Sequence, residues 1–241
     1  MGKQDEIAYI ERLGEDGRQH ALGKPWSDPD RGRMLGEVGA LLGILPPPPA
    51  RVLDAGAGSG WTSCMLAMAG YSVVAADIAP DMIDLTRLNA DRYRVQLDGT
   101  VVSDFESLPF ADEFDAVVFY DCLHHAEDEV AALTAAHRAL RAGGVCITLE
   151  PGVGHHKAEH SVRAMQHMGV TERDMPPSLI IKSGKAAGFR SFAIHTRPLP
   201  PVQLNPGWVP RLKAVVTLTY RYLSQVTPFA RRRGHFVALH K

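Results

Sequence analysis

The chain reads as an α/β protein built on a mostly parallel sheet with helices on both faces, and three observations predict this. From Arg51 onward, apolar runs of strand length alternate with stretches of helical periodicity. The runs are apolar throughout rather than alternating, as strands covered on both faces are. The first run, Val52 to Ala55, carries Asp54 near its end and leads through Gly56, Ala57, Gly58, Ser59 and Gly60 into a helical stretch. A strand, a glycine-rich turn and a helix in that order let backbone N–H groups approach a ligand that a Cβ would hold off.

Residues 4–45 read as a short helix, a loop and a longer helix. Asp28 followed by Pro29 suits an N-cap and first-turn pair. Met34, Leu35, Val38, Leu41, Leu42 and Leu45 then recur at helical spacing. The loop 23–27 between them carries Trp26, which serves either as a plug between helices or as a lid over a ligand. Pro46 to Pro49 form a stiff spacer that ends the helix. Strands are expected at Arg51–Ala55, 72–76, 100–103, Phe114–Tyr120 and 145–149, with helices at 59–69, 80–90 and 129–141. The connection 104–113 reads as loop, and strands at 191–196 and 235–240 bring the count to seven. No linker or repeat divides the chain, so one domain is expected: a helical cap over 1–50, a ligand-binding core over 51–152 and substrate-side elements over 153–241.

At 241 residues, 45% of them hydrophobic, the chain can bury one sizeable core. A formal net charge of -1 supplies no global field to recruit nucleic acid. Cys64, Cys122 and Cys146 lack metal-type or redox-type spacing and read as buried free thiols of a reducing cytoplasm. The polar N-terminus has no apolar segment behind it, and no apolar run elsewhere is long enough to span a membrane, so a cytoplasmic location is expected.

The glycine turn separates two ligand classes. A nicotinamide fingerprint needs a small residue where this chain has Trp61. The stretch from Asp54 through Gly56, Gly58 and Gly60 instead resembles the first motif of the class I, Rossmann-like S-adenosylmethionine (SAM)-dependent methyltransferases of the small-molecule type. That resemblance covers residues 51–152 well and the rest loosely. It implies a seven-stranded sheet with its last strand antiparallel beside the fifth, to which the residues add an N-terminal helical lid and a helical insertion before the last strand. It also implies SAM as cofactor and S-adenosylhomocysteine (SAH) as product. Ligands of such sheets lie beyond the carboxyl ends of the central strands. There Asp77, followed by Ile78, is placed to accept ribose hydroxyls, Asp104 and Phe105 to meet the adenine, and Asp121 to meet the methionine amino group. Each alone also fits an ordinary turn acid after a strand.

Methyl transfer to a hydroxyl is helped by a base that removes its proton. His124 follows the fourth strand, and Glu150 ends the fifth beside it. This is similar to the His/acid pair of small-molecule O-methyltransferases acting on sugars and natural products, so His124 is the expected base and Glu150 its partner. His155 and His156 are the backups, and His156 with His160 has an i, i+4 ligand spacing without a third ligand, so no metal is expected.

The insertion 197–234 holds an amphipathic stretch with Trp208, Val209, Leu212, Val215, Val216, Tyr220 and Leu223 apolar, and Arg211, Lys213 and Arg221 among its other positions. Arg231, Arg232 and Arg233 follow it. A substrate cap whose cations meet an anionic or sugar-containing acceptor is the favoured reading; weak docking on a membrane surface is the other. The function expected is methyl transfer to a small-molecule hydroxyl. The rivals are N- or C-methylation, methylation of RNA, and a SAM-binding subunit without catalysis. Asp121, Cys122, Leu123 and His124 do not match the Asn/Asp-Pro-Pro-Tyr/Phe pattern of amino-group base methylases, which weighs against nucleic acid. The sequence is silent on oligomeric state, a homodimer included.

Overall fold

The computed structural model describes residues 2–199, 208–226 and 234–241. Seven strands form one sheet: β1 Arg51–Ala55, β2 Ser72–Asp77, β3 Gly99–Val102, β4 Phe114–Tyr120, β5 Leu140–Leu149, β6 Ser191–His195 and β7 Phe236–His240. Their spatial order is β3-β2-β1-β4-β5-β7-β6. β1 to β5 pair in parallel, and β7 runs antiparallel between β5 and β6. The order reverses between β1 and β4, which opens the crevice where doubly wound sheets bind ligands.

Alternate residues of each strand feed opposite faces. Leu53, Val117, Phe119 and Cys146 join Leu133 of α6 (Glu129–Ala139) and Ile180 of α8 (Pro177–Ala186) in one core. Val52, Val118 and Ile147 pack on the other face with Leu41 of α3 (Arg31–Leu42) and Leu66 of α4 (Trp61–Met68). All three cysteines are buried and free, and burial pushes the Cys64 thiol up to about 12.

Several boundaries differ from expectation for local reasons. The N-terminal region holds two helices before the loop, α1 (Lys3–Ile7) and α2 (Tyr9–Gly23), with α2 kinked at Gly14. The third helix begins at Arg31, not at Pro29, because Asp28 accepts from the N–H of Asp30 and so holds a turn ahead of the helix. α5 (Pro80–Tyr93) runs one turn longer than read and ends where Arg94 turns left-handed. β5 begins at Leu140, directly after α6, so residues 140 and 141 leave the expected helix for the sheet.

A buried carboxylate ties the front of the molecule together. Glu37 of α3 accepts from Arg33 (3.0 Å), Arg197 (3.2 Å) and the Tyr120 hydroxyl (2.7 Å). Burial and the Glu37 charge drive the Tyr120 phenol far above its ordinary range, so it stays a donor.

Candidate active site

A cavity of about 360 Å³ lies at the carboxyl ends of β1, β2 and β4. Gly56, Gly58, Asp77, Ile78, Asp104, Phe105, Asp121 and His124 line it, so most of the expected cofactor residues converge on one space. A second space of about 210 Å³ continues behind the glycine turn, past Ser59, Trp61 and Thr62 at the start of α4.

The turn is held from several sides. Asp77 accepts from the N–H of Gly58 (2.8 Å) and of Ala79 (2.9 Å). Each of its oxygens therefore keeps a further lone pair. Burial raises the Asp77 carboxyl above its ordinary value, against the pull of those two N–H groups. Thr86 and Asn89 of α5 donate to the carbonyls of Gly58 and Ser59, and Ser59 donates to the Ala21 carbonyl of α2. Gly60 has φ +73°, and a Cβ there would meet Thr86 at 2.5 Å, so glycine lets α5 approach the turn.

Two expected residues serve from outside the cavity. Asp54 is buried and accepts from Thr62 and Ser63, each at 2.6 Å, which fixes the start of α4. Gly60 is absent from the lining for the packing reason just given. Asp104 lines the cavity yet also caps the turn after it, accepting from the N–H groups of Glu106 and Ser107. Its second oxygen takes Lys3 at 3.2 Å. Burial raises the Asp104 carboxyl, but the Lys3 ammonium and Ser107 bring it below its ordinary value. Asp121 has φ +55°, a left-handed conformation for a non-glycine residue of the kind that clusters at working sites.

The expected pair of His124 and Glu150 is formed. His124 Nδ1 lies 2.7 Å from Glu150 Oε2, both residues are buried, and the ring faces the cavity. Glu150 also accepts from the N–H groups of Cys122 (3.2 Å), Leu123 (2.8 Å) and His124 (3.2 Å). Such a carboxylate receives Nδ1–H and leaves Nε2 as the acceptor nitrogen.

Glu172 is the residue that sequence reasoning missed. It lies 3.6 Å from His124 Nε2 and 2.5 Å from His155 Nε2. His155 rises above its ordinary value through that bond, and Glu172 falls below its own despite burial, so the two form an ion pair. His155 and His160 line the cavity, whereas His156 turns away to Asp174 at 2.8 Å. His156 and His160 share no helix face, because Ala158 is extended between the turn His155–Lys157 and α7 (Glu159–Met168). Among the described residues, ligand atoms of His124, His125 and Glu172, and of Asp121, His124 and Glu150, do lie within 4.8 Å of one another. Within these groups His125 Nδ1 meets the Thr171 carbonyl at 2.5 Å, His124 Nδ1 meets Glu150 and Glu172 pairs with His155.

The N-terminal helical lid closes the cavity, though not through the loop 23–27. Trp26 is 55% exposed and donates to the Tyr93 hydroxyl at 2.9 Å, so it neither plugs nor covers. Only Lys24 of that loop lines the cavity. Closure comes from α1 and the start of α2. Lys3 pairs with Asp104 and Glu106, Glu6 accepts from the Thr171 N–H at 2.9 Å, and Arg12 reaches the Met168 carbonyl. Among the described residues, none of α9 (Trp208–Val226) lines the cavity, and residues 200–207 and 227–233 of the expected cap lie outside the described residues.

His125 links this closure to pH. Burial lowers its pKa, but the Glu6 carboxylate, the Glu172 charge and the Thr171 carbonyl together raise it from 6.5 to about 9. A raised histidine contributes stability fully below its unfolded pKa and loses it as pH rises through the folded one. Unfolding free energy is therefore expected to fall between pH 6.5 and about 9, by up to about 3 kcal/mol. Urea melts of wild type and His125→Gln across that window check this; parallel curves for the two proteins would contradict it.

Residues 53–148 match the family model described as Methyltransferase domain. The ubiquinone biosynthesis O-methyltransferase of Xanthomonas axonopodis pv. citri is 39% identical over 102 residues, 42% of this chain and 42% of that protein. The protein of that name from Cereibacter sphaeroides is 36% identical over 111 residues, 45% of each. The chain thus aligns with less than half the length of these curated relatives. Among solved structures, phosphoethanolamine N-methyltransferase 2 of Haemonchus contortus, in complex with SAM, superposes with a TM-score of 0.64 at 19% identity, over all of this chain and 59% of that one. A possible histamine N-methyltransferase from Thermotoga maritima gives 0.61 at 17% identity, over 98% of this chain and 99% of that one. With the strand order and the glycine turn, the family match makes residues 53–148 a methyltransferase domain on a class I, Rossmann-like fold.

Proposed function

We propose that the chain binds SAM in this cavity and transfers its methyl group to a hydroxyl of a neutral small molecule of the sugar or natural-product kind. The observation that carries this reading is the buried pair of His124 and Glu150 at the cavity, the other ring nitrogen of His124 lying 3.6 Å from Glu172 Oε2. Bound SAM supplies an electrophilic methyl on a positively charged sulfur. Asp77 has lone pairs left for ribose hydroxyls, and the start of α4 suits the methionine carboxylate. With the methyl passing from sulfur to the acceptor oxygen and SAH leaving, His124 Nε2 would take the hydroxyl proton and Glu150 would stabilise the imidazolium formed. The O-methyltransferase names of the relatives support oxygen as the methylated atom.

An anionic acceptor, one of the expectations from sequence, finds little support. Among the described residues, seven carboxylates line the cavity against two lysines, and Lys3 is already paired with Asp104 and Glu106. The same acidity favours, as a second reading, an amine acceptor that arrives as an ammonium and gives its proton to His124 or Glu172. Incubation with SAM and panels of neutral hydroxyl compounds and amines tests both. The expected result is a mass gain of one methyl on a hydroxyl compound, with SAH released in equal amount. Methylation confined to amines would replace the first reading with the second, and SAH formation with neither would sink both.

A further inference from the structure

We infer that α9 seats the protein reversibly on an anionic lipid bilayer. The helix is amphipathic, and the structure sets it with its apolar side outward. Leu212, Val215, Val216, Tyr220, Tyr222 and Leu223 are between 49% and 69% exposed. At about 100° per residue these positions form one continuous arc. The stripe opposite, Ala214, Thr217 and Arg221, is the side turned to the body, with Ala214 buried and the other two half-buried. A helix folded for water alone does the reverse. An apolar patch of this kind marks an interaction surface.

Charge selects the partner. Residues 211–234 carry six Arg or Lys and no Asp or Glu, in a chain whose formal net charge is -1. The last acid of the sequence is Asp174, so basic character is segregated to the end that bears the helix. A second copy of this surface would bring like charges together. A polynucleotide would accept the cations but offers no apolar phase for valine and leucine. An anionic bilayer satisfies both halves: the aliphatic side chains enter the acyl boundary, tyrosines sit at headgroup level, and Lys and Arg meet the lipid phosphates. The helix then lies in the interface; among the described residues none is long and apolar enough to cross it.

Cosedimentation of the full chain with vesicles tests this, without any need for a known acceptor. One set is phosphatidylcholine alone and the other includes phosphatidylglycerol. Binding is expected to the anionic vesicles, weakening as salt rises. The double substitution Val215→Asp, Val216→Asp should lower the partition coefficient by about tenfold or more, since affinity follows buried apolar area. Lys213→Glu should lower it about fivefold. All three positions are exposed, so thermal melts should match wild type. No binding to anionic vesicles, or equal binding by the double variant, would overturn the inference. So would a wild-type dimer in sedimentation velocity that the double variant abolishes without any vesicle binding, or RNA retention without vesicle binding.

Discussion

Replacing His124 with alanine is expected to lower kcat by about 10²- to 10⁴-fold, the range for loss of a positioned general base. SAM affinity should stay within a few-fold of wild type, because the ring reaches the cavity beyond the glycine turn and bonds none of the turn's atoms. The loss should appear in kcat with every hydroxyl acceptor. Glu150→Gln is expected to reduce both activity and stability. Glu150 accepts four hydrogen bonds, three from consecutive backbone N–H groups, and a glutamine has one carbonyl oxygen for them. A destabilisation of about 1–3 kcal/mol follows from the donors left unsatisfied. Steady-state kinetics with isothermal SAM titration separates the two variants. Full activity in His124→Ala would leave methyl transfer to proximity, or to His155.

Gly56→Ala should weaken SAM binding by at least about tenfold. Gly56 has φ +77°, and a Cβ there would lie 2.7 Å from Cys122 Sγ, 2.9 Å from Cys122 Cβ and 3.0 Å from the Phe105 ring. The left-handed backbone alone costs about 1–2 kcal/mol for a non-glycine residue. The clash adds to that, and Cys122 has no slack because its thiol donates to the Ala55 carbonyl at 3.0 Å. Relief requires the turn to move into the cavity it lines, so a fall in SAM affinity of at least about tenfold accompanies the lost stability. A variant that binds SAM as wild type does would show that the turn is not the cofactor's seat.

The sheet was legible because buried parallel strands leave unbroken apolar runs, and β1 and β4 fall at the residues read for them. Strand order then makes the ends of β2, β4 and β5 neighbours of the crevice, which is why Asp77, Asp121, His124 and Glu150 could be named together. Glu172 could not. It lies in irregular chain between α7 and α8, and nothing in its neighbours says that the loop folds back under two histidines. The N-terminal lid was legible as helices but its contacts were not: closure rests on Lys3 and Glu6 of α1 and Arg12 of α2, whose partners lie more than 100 residues away. Loop 23–27 drew attention through Trp26, yet the indole's partner is Tyr93 on the outer surface. Periodicity gave α9 its apolar face but not its direction, since the same pattern serves a helix facing inward or outward. The arginines at 231, 232 and 233 lie outside the described residues.

Isothermal titration of SAM into wild type and Asp77→Ala tests the central claim most directly. One molecule of SAM per chain is expected, with affinity in the variant weakened about tenfold or more, as for loss of a charge-assisted hydrogen-bond acceptor that also holds the Gly58 N–H. No SAM binding by the wild type, or binding unchanged in Asp77→Ala, would contradict a cofactor seat at the ends of β1 and β2.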